Sequence, residues 1–344
     1  MEKATKNSKK LKSKVSEREP SVEHGRRNDD LKRIYYLLKL TREFDDRGRK
    51  LWRQGRMEGT FFSQIGQEAT TVVPTFFTEL NDFVCGQHRE LGAVIARGCP
   101  IEKLACQLLS RATSEDKGKL HPNFWGWRDG NYLAPCTLMA AQTGVAVGAS
   151  LSFKMRNMHN IAINFSGEGG TSKGQWHEAV NFAAIHKLPV IFIVQNNWWA
   201  ESVPIRLQAG NEDISQRAVG YGIQGFRMDG NDVPLLYDFF GEWIPKIKEN
   251  IGPPIIVQLD TYRWYGHSEI DPADYRAKEE VERWKKKDPI PNFEKYLLDE
   301  GIMTQDDLKA VHEQVLKEVQ EAYDFALRER EPRPEVCLED VYAP

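Results

Sequence analysis

Asn160-Ile-Ala-Ile-Asn-Phe-Ser-Gly-Glu-Gly-Gly-Thr171 is an apolar run that breaks into a glycine-rich turn carrying one acid, Glu168. Pro189-Val-Ile-Phe-Ile-Val-Gln-Asn-Asn197 repeats the apolar run and ends in amides, with Asn197 placed 29 residues after Glu168. From about Gly174 to Lys187 the pattern between them is helical. Together they predict one strand–helix–strand unit. In a parallel pair both strand ends fall on one side of the sheet, where ligands of open α/β folds bind. A carboxylate and an amide then share one crevice, a donor set suited to a small hard cation holding a diphosphate.

Other phosphate loops fit less well. The turn does not follow GxGxxG, because Ser172 stands where the third glycine belongs, and amides replace the ribose-binding acid after the next strand. It also lacks the Gly-Lys-Ser/Thr of a P-loop. An acid inside the turn repels a bare pyrophosphate unless a metal lies between them.

The rest of the chain extends this unit into an α/β fold, a mostly parallel central sheet with helices on both faces. The spacing predicts helices over about 30–54, from Gly66 toward Leu80, from Gln87 to Gly98, and over 101–111. It predicts further helices over 140–155, 235–250 and 305–329. Phe83–Cys85 and Pro253–Tyr262 read as strands. Residues 113–135 read as a long aromatic loop that contains His121, and Arg263–Arg276 as a polar loop that contains His267. Gly144 and Gly148 share one helix face, which permits close approach of a second helix or a cofactor. Residues 1–29 hold nine Lys/Arg, five Asp/Glu and no aromatic residue, and read as a disordered basic tail. One domain over 30–344, with helical extensions, is expected.

Composition excludes several classes. A net charge of −3 in 344 residues argues against nucleic-acid binding, and no apolar run is long enough for a membrane span. Five scattered cysteines form no zinc spacing and suit reduced thiols in a cytoplasmic compartment. The tail has no apolar centre for a signal peptide and too many acids for a transit peptide.

The pair Gly167-Glu168-Gly169 and Asn197 resembles the thiamine diphosphate motif, with Glu where many relatives have Asp. Further segments are similar to the α subunit of the decarboxylating component of 2-oxoacid dehydrogenase complexes. They are Gly66-Gln67-Glu68-Ala69, Gln87-His88-Arg89-Glu90, Met228-Asp-Gly-Asn-Asp-Val233, Thr261-Tyr-Arg263, Gly266-His267-Ser268, Asp274-Tyr-Arg276 and Lys287-Asp-Pro-Ile290. The resemblance implies a thiamine diphosphate-binding fold. It implies Mg²⁺ on Glu168, Asn197 and the Trp199 carbonyl. His88, Arg89, Gly167, Gly169, Gly170 and His267 would hold the cofactor's diphosphate end, and Thr137 and Met139 would meet its aminopyrimidine. His267 would also assist acyl transfer to lipoamide. His88 and Trp199 stand where relatives usually have Tyr.

The implied reaction is decarboxylation of a 2-oxoacid followed by acyl transfer to lipoamide. The implied partners are a β subunit in an α₂β₂ heterotetramer and a lipoyl-bearing dihydrolipoyl acyltransferase core. The β subunit supplies the acid that activates the cofactor. Phe61-Phe62-Ser63-Gln64-Ile65 lacks the histidine of the pyruvate group, so branched-chain 2-oxoacids are expected ahead of pyruvate or acetoin. A subunit that binds the cofactor without catalysis, or serves as a scaffold, is the alternative from another class.

Overall fold

The computed structural model describes residues 22–342. The parallel sheet begins with β1 (Phe83–Cys85), β2 (Tyr132–Leu133), β3 (Ala162–Gly167) and β4 (Val190–Asn196). A small antiparallel hairpin follows, β5 (Trp199–Ala200) and β6 (Val203–Pro204). β7 (Gln224–Asp229) and β8 (Ile255–Asp260) complete the sheet in the spatial order β2-β1-β3-β4-β8-β7, every pairing parallel. The helices are α1 (Val22–Arg53), α2 (Ala69–Phe76), α3 (Leu91–Ala96), α4 (Ile101–Leu108), α5 (Ala141–Met155) and α6 (Gly174–Ile185). They continue as α7 (Ile205–Gln208), α8 (Arg217–Tyr221), α9 (Val233–Asn250), α10 (Lys278–Lys285), α11 (Pro289–Asp299) and α12 (Gln305–Arg328).

The central strands are buried on both faces, which is why they read as unbroken apolar runs. Successive side chains point to opposite faces. Ile163, Phe165, Ile191 and Ile193 join one core with α1, α2, α9 and α12, whereas Ala162, Val190, Phe192 and Val194 join a second core with α5 and α6. Each of these Val, Ile and Phe side chains is worth roughly 1.5–3 kcal/mol of burial. The predicted fold class is therefore observed.

Boundaries moved where distant partners intervene. α1 starts at Val22, not near Asp30, because contacts with α9 support its first turns: Arg27 pairs with Asp238, and Tyr237 donates to Asp30 at 2.8 Å. Only residues 1–21 of the expected tail lie outside the described part. The 113–135 loop contains the edge strand β2 and buries Trp125, Trp127 and Tyr132. The apolar stripe of α12 packs within this chain, against α1 and α4. The shared face of Gly144 and Gly148 meets nothing within 4 Å of either Cβ position, so the expected close approach is not made inside this chain. No helix among the described residues is long and apolar enough to cross a membrane.

Candidate active site

Register sets the site. Gly167 pairs with Gln195 across β3 and β4, so Glu168 and Asn197 emerge side by side at the carboxyl edge of the sheet. The Asn197 backbone N–H donates to Glu168 Oε2 at 3.3 Å. Glu168 Oε1 is buried with no partner. Burial pushes the Glu168 carboxyl up to about 7, against the pull of that N–H and of Arg263 and Arg89. A buried carboxylate oxygen lacking a donor is costly unless a cation meets it.

Asn197 is oriented from both sides. Its Nδ2 donates to Gln67 Oε1 at 3.3 Å, and its Oδ1 accepts from the Trp199 N–H at 3.4 Å. The Gln208 side chain donates to the Glu168 carbonyl at 3.1 Å and ties down the turn. Gly169 is required by close approach, because a Cβ there would lie 2.7 Å from that of Ala200. At Gly167 a Cβ would meet nothing within 4 Å, which leaves open space beside Glu168.

Glu168, Asn197, Gln67, Gly167 and Gly169 line one cleft of about 530 Å³ together with His88, Arg89, Thr137, Met139, Trp199 and His267. The structure thus gathers every sequence-predicted site residue except one. Gly170 is not part of the cleft lining; it is buried, with the Met139 side chain 3.5 Å from its Cβ position. His121 lies in the same cleft, reached through the 113–135 loop.

Phe62 organises the far wall. Its ring centroid lies 4.3 Å from that of His88, 5.3 Å from His267 and 5.4 Å from His121. The segment that carries Phe62 is fixed from below by Asp45, which accepts from Ser63 Oγ at 2.6 Å and from the Gln64 N–H at 2.7 Å. Arg89 donates to His88 Nε2 at 2.6 Å and to the His267 carbonyl. Because a guanidinium only donates, the neutral His88 ring carries its proton on Nδ1. Burial and the Arg89 charge hold the His88 pKa well below its usual value. Burial, Arg89 and Arg263 lower that of His267 to about 4, so its ring is neutral at pH 7.

Gln67, Phe62 and Arg263 were not assigned site roles from sequence. Gln67 and Arg263 stand inside segments that carried the family resemblance, and Phe62 in the segment used to weigh the substrate. Nothing local says that Gln67 reaches Asn197 across 130 residues.

Among the described residues no cluster of three or more His, Cys, Asp or Glu is arranged to hold a metal. A cation here would therefore take one carboxylate, and leave its remaining positions to an amide, a carbonyl, phosphate and water. That is the habit of Mg²⁺ more than of zinc.

A parallel sheet with a buried acid–amide pair at its carboxyl edge defines an α/β protein with a crevice suited to a cation-bound anion. The chain belongs to the dehydrogenase E1 component family, whose model matches residues 35–335. That family works with thiamine diphosphate. The chain is 33% identical over 326 residues to the mitochondrial 2-oxoisovalerate dehydrogenase subunit alpha of Mus musculus, covering 94% of this chain and 73% of the relative. It is 33% identical over 313 residues to the 2-oxoisovalerate dehydrogenase subunit alpha of Bacillus subtilis (strain 168), covering 90% and 94%. It is also 33% identical over 304 residues to the pyruvate dehydrogenase E1 component subunit alpha of Rickettsia conorii, covering 86% and 90%.

Proposed function

We propose that this chain is the α subunit of a 2-oxoacid dehydrogenase that decarboxylates its substrate on thiamine diphosphate and passes the acyl group to lipoamide. The observation that carries this reading is the partnerless buried oxygen of Glu168 beside Asn197, at the carboxyl edge of the sheet of an E1-family chain.

Glu168, Asn197 and the Trp199 carbonyl would hold Mg²⁺. Arg89, His88, His267, Gly167, Gly169 and the Gly170 turn would hold the diphosphate, with the gap at Gly167 giving it room. Thr137 and Met139, which line the same cleft, would face the aminopyrimidine. When bound, the cofactor supplies the electron sink for loss of CO₂ from a 2-oxoacid. The chain's own residues orient and shield. Phe62 and Phe124, which line the cleft, would shield the acyl group from water. The neutral His267 ring accepts or gives one proton beside the reacting group during transfer to lipoamide.

Branched-chain 2-oxoacids are the substrates we favour, because the acyl end is walled by Phe62 and Phe124. Two of the relatives also act on 2-oxoisovalerate by name. Pyruvate is the second reading, supported by the relative at equal identity.

The partners would be a β subunit, in an α₂β₂ assembly, and the lipoyl-bearing acyltransferase core. Leu138, next to the cleft residues Thr137 and Met139, is 67% exposed, as an unassembled subunit face would be.

The test is turnover of 2-oxoisovalerate, pyruvate and acetoin by the chain co-purified with its β subunit, with Mg²⁺ and thiamine diphosphate. We expect 2-oxoisovalerate to give the highest kcat/KM, and the chain alone to show no turnover. Cofactor binding without turnover of any of the three would instead mark a catalytically silent subunit.

A further inference from the structure

The cleft holds two buried guanidiniums, and only one has a role so far. Arg263 follows β8 and is 1% exposed. It lines the cleft with Arg89 and Glu168. One terminal nitrogen of Arg263 donates to the Glu201 carbonyl at 2.8 Å and to Tyr275 Oη at 2.9 Å. Its Nε is buried and has no partner, and the same is true of Arg89 Nε. Among the described residues neither guanidinium makes a salt bridge with a carboxylate. Burial lowers the pKa of both, and Arg89 falls to about 9, through burial and then the charge of Arg263.

Two like charges buried in one cleft, neither of them salt-bridged to a carboxylate, are unfavourable, and a ligand that brings negative charge relieves them. Arg263 lies toward the metal end of the cleft. The carbonyl it holds, Glu201, is two residues past Trp199, and its charge acts on Glu168. Arg89, by contrast, lies over the ring of Phe62, which packs against His121 and through it Phe124. A diphosphate chelated by one divalent cation remains net negative. Adding Glu168 increases that negative charge, and two guanidiniums offset it.

We infer that Arg263 is a second cationic ligand for the diphosphate, acting from the carboxyl end of β8 while Arg89 acts from that of β1, with β3 and β4 between them. This rests on the thiamine diphosphate reading given above and extends it to a residue not assigned there. The same chemistry could instead serve the carboxylate of the 2-oxoacid, and the experiment separates the two.

Arg263→Met, Arg263→Lys and Tyr275→Phe are made in the α–β complex. Calorimetry then measures Mg²⁺ with inorganic pyrophosphate, and Mg²⁺ with thiamine diphosphate. We expect Arg263→Met to weaken both by tenfold or more at an unchanged circular-dichroism spectrum. Arg263→Lys should recover most of that loss, because it keeps the charge. Tyr275→Phe removes a loop anchor but no charge, and should stay within about threefold of the parent.

Unchanged pyrophosphate affinity in Arg263→Met overturns the inference. So does an equal loss in Arg263→Met and Tyr275→Phe, which would make Arg263 a loop anchor. Unchanged diphosphate affinity with a raised KM for the 2-oxoacid also overturns it, and assigns the charge to the substrate carboxylate. Failure of the unsubstituted complex to bind either probe would fault the cofactor reading itself, a result visible before any variant is examined.

Discussion

At the residue scale, the site is a set of side chains held in defined protonation states. His267 is neutral at pH 7: burial first, and then the charges of Arg89 and Arg263, take its pKa down to about 4. We expect His267→Ala to lower lipoamide-dependent turnover by roughly 10²–10⁴-fold, the usual worth of a positioned proton-transfer group. Turnover with an artificial one-electron acceptor should fall far less, and equal losses with both acceptors would move the role of His267 to decarboxylation. Asp45 gives a second measurable consequence. Burial raises its pKa from 3.8 to about 7, although Gln64 and Ser63 donate to it. The folded chain therefore keeps that proton where the unfolded chain has released it. The stabilisation is complete below about pH 4, declines as pH rises toward 7, and is level above that. Glu90 and Glu168 are raised in the same direction, so the difference between parent and variant is the quantity to follow. In denaturant titrations, Asp45→Asn should show a shallower fall in stability between pH 4 and 7 than the parent. Glu168 and Asn197 were legible in the sequence because each closes its own strand. Gln67, Phe62 and Arg263 were not, because their roles come from neighbours distant in the chain.

At the scale of elements, the strand–helix–strand unit was legible because burial on both faces leaves no polar alternation in β3 and β4. The start of α1 was not, since its first turns are polar and rest on partners supplied by α9. Arg263–Arg276 read correctly as a loop, yet its burial was hidden. Arg276 donates to the carbonyls of Arg263 and Tyr265, at 2.5 and 2.6 Å, and so satisfies backbone that a polar sequence suggests is solvated. Gly66 joins this loop to the turn before α2. Its φ is +95°, and a Cβ would overlap the Trp264 indole and lie 2.9 Å from the Tyr262 carbonyl. We expect Gly66→Ala to cost about 2–4 kcal/mol, from backbone strain and overpacking together. The neighbouring Gln67 should lose its hold on Asn197. A fall in both Tm and Mg²⁺-dependent cofactor affinity is the expected result; a Tm within a degree of the parent would show that the loop yields freely.

At the scale of the whole molecule, the cleft is built from one side. α1, α2, α9 and α12 close one face of the sheet in a large core, whereas α5 and α6 cover the other with a smaller one. The outer surface of α5 remains open: Gly144 and Gly148 meet nothing, Val145 is 46% exposed, and Leu138 stands at the cleft rim just before the helix. Glycine at these positions costs helix stability of about 1 kcal/mol each relative to alanine. That cost is offset if a second backbone packs closely there. The surface is continuous with Thr137 and Met139, so whatever covers α5 also borders the cleft. A β subunit that completes the site fits that position. Val145→Glu tests this without touching the cleft lining. The carboxylate would stand in water on the isolated chain, so its own Tm should change by no more than about 0.5 kcal/mol of stability implies. In an interface the same charge would be buried without a partner and should break the assembly. We expect co-purification with the β subunit and turnover to be lost together, while the circular-dichroism spectrum stays that of the parent. If Val145→Glu still co-purified and turned over normally, the partner would have to approach the cleft from another side.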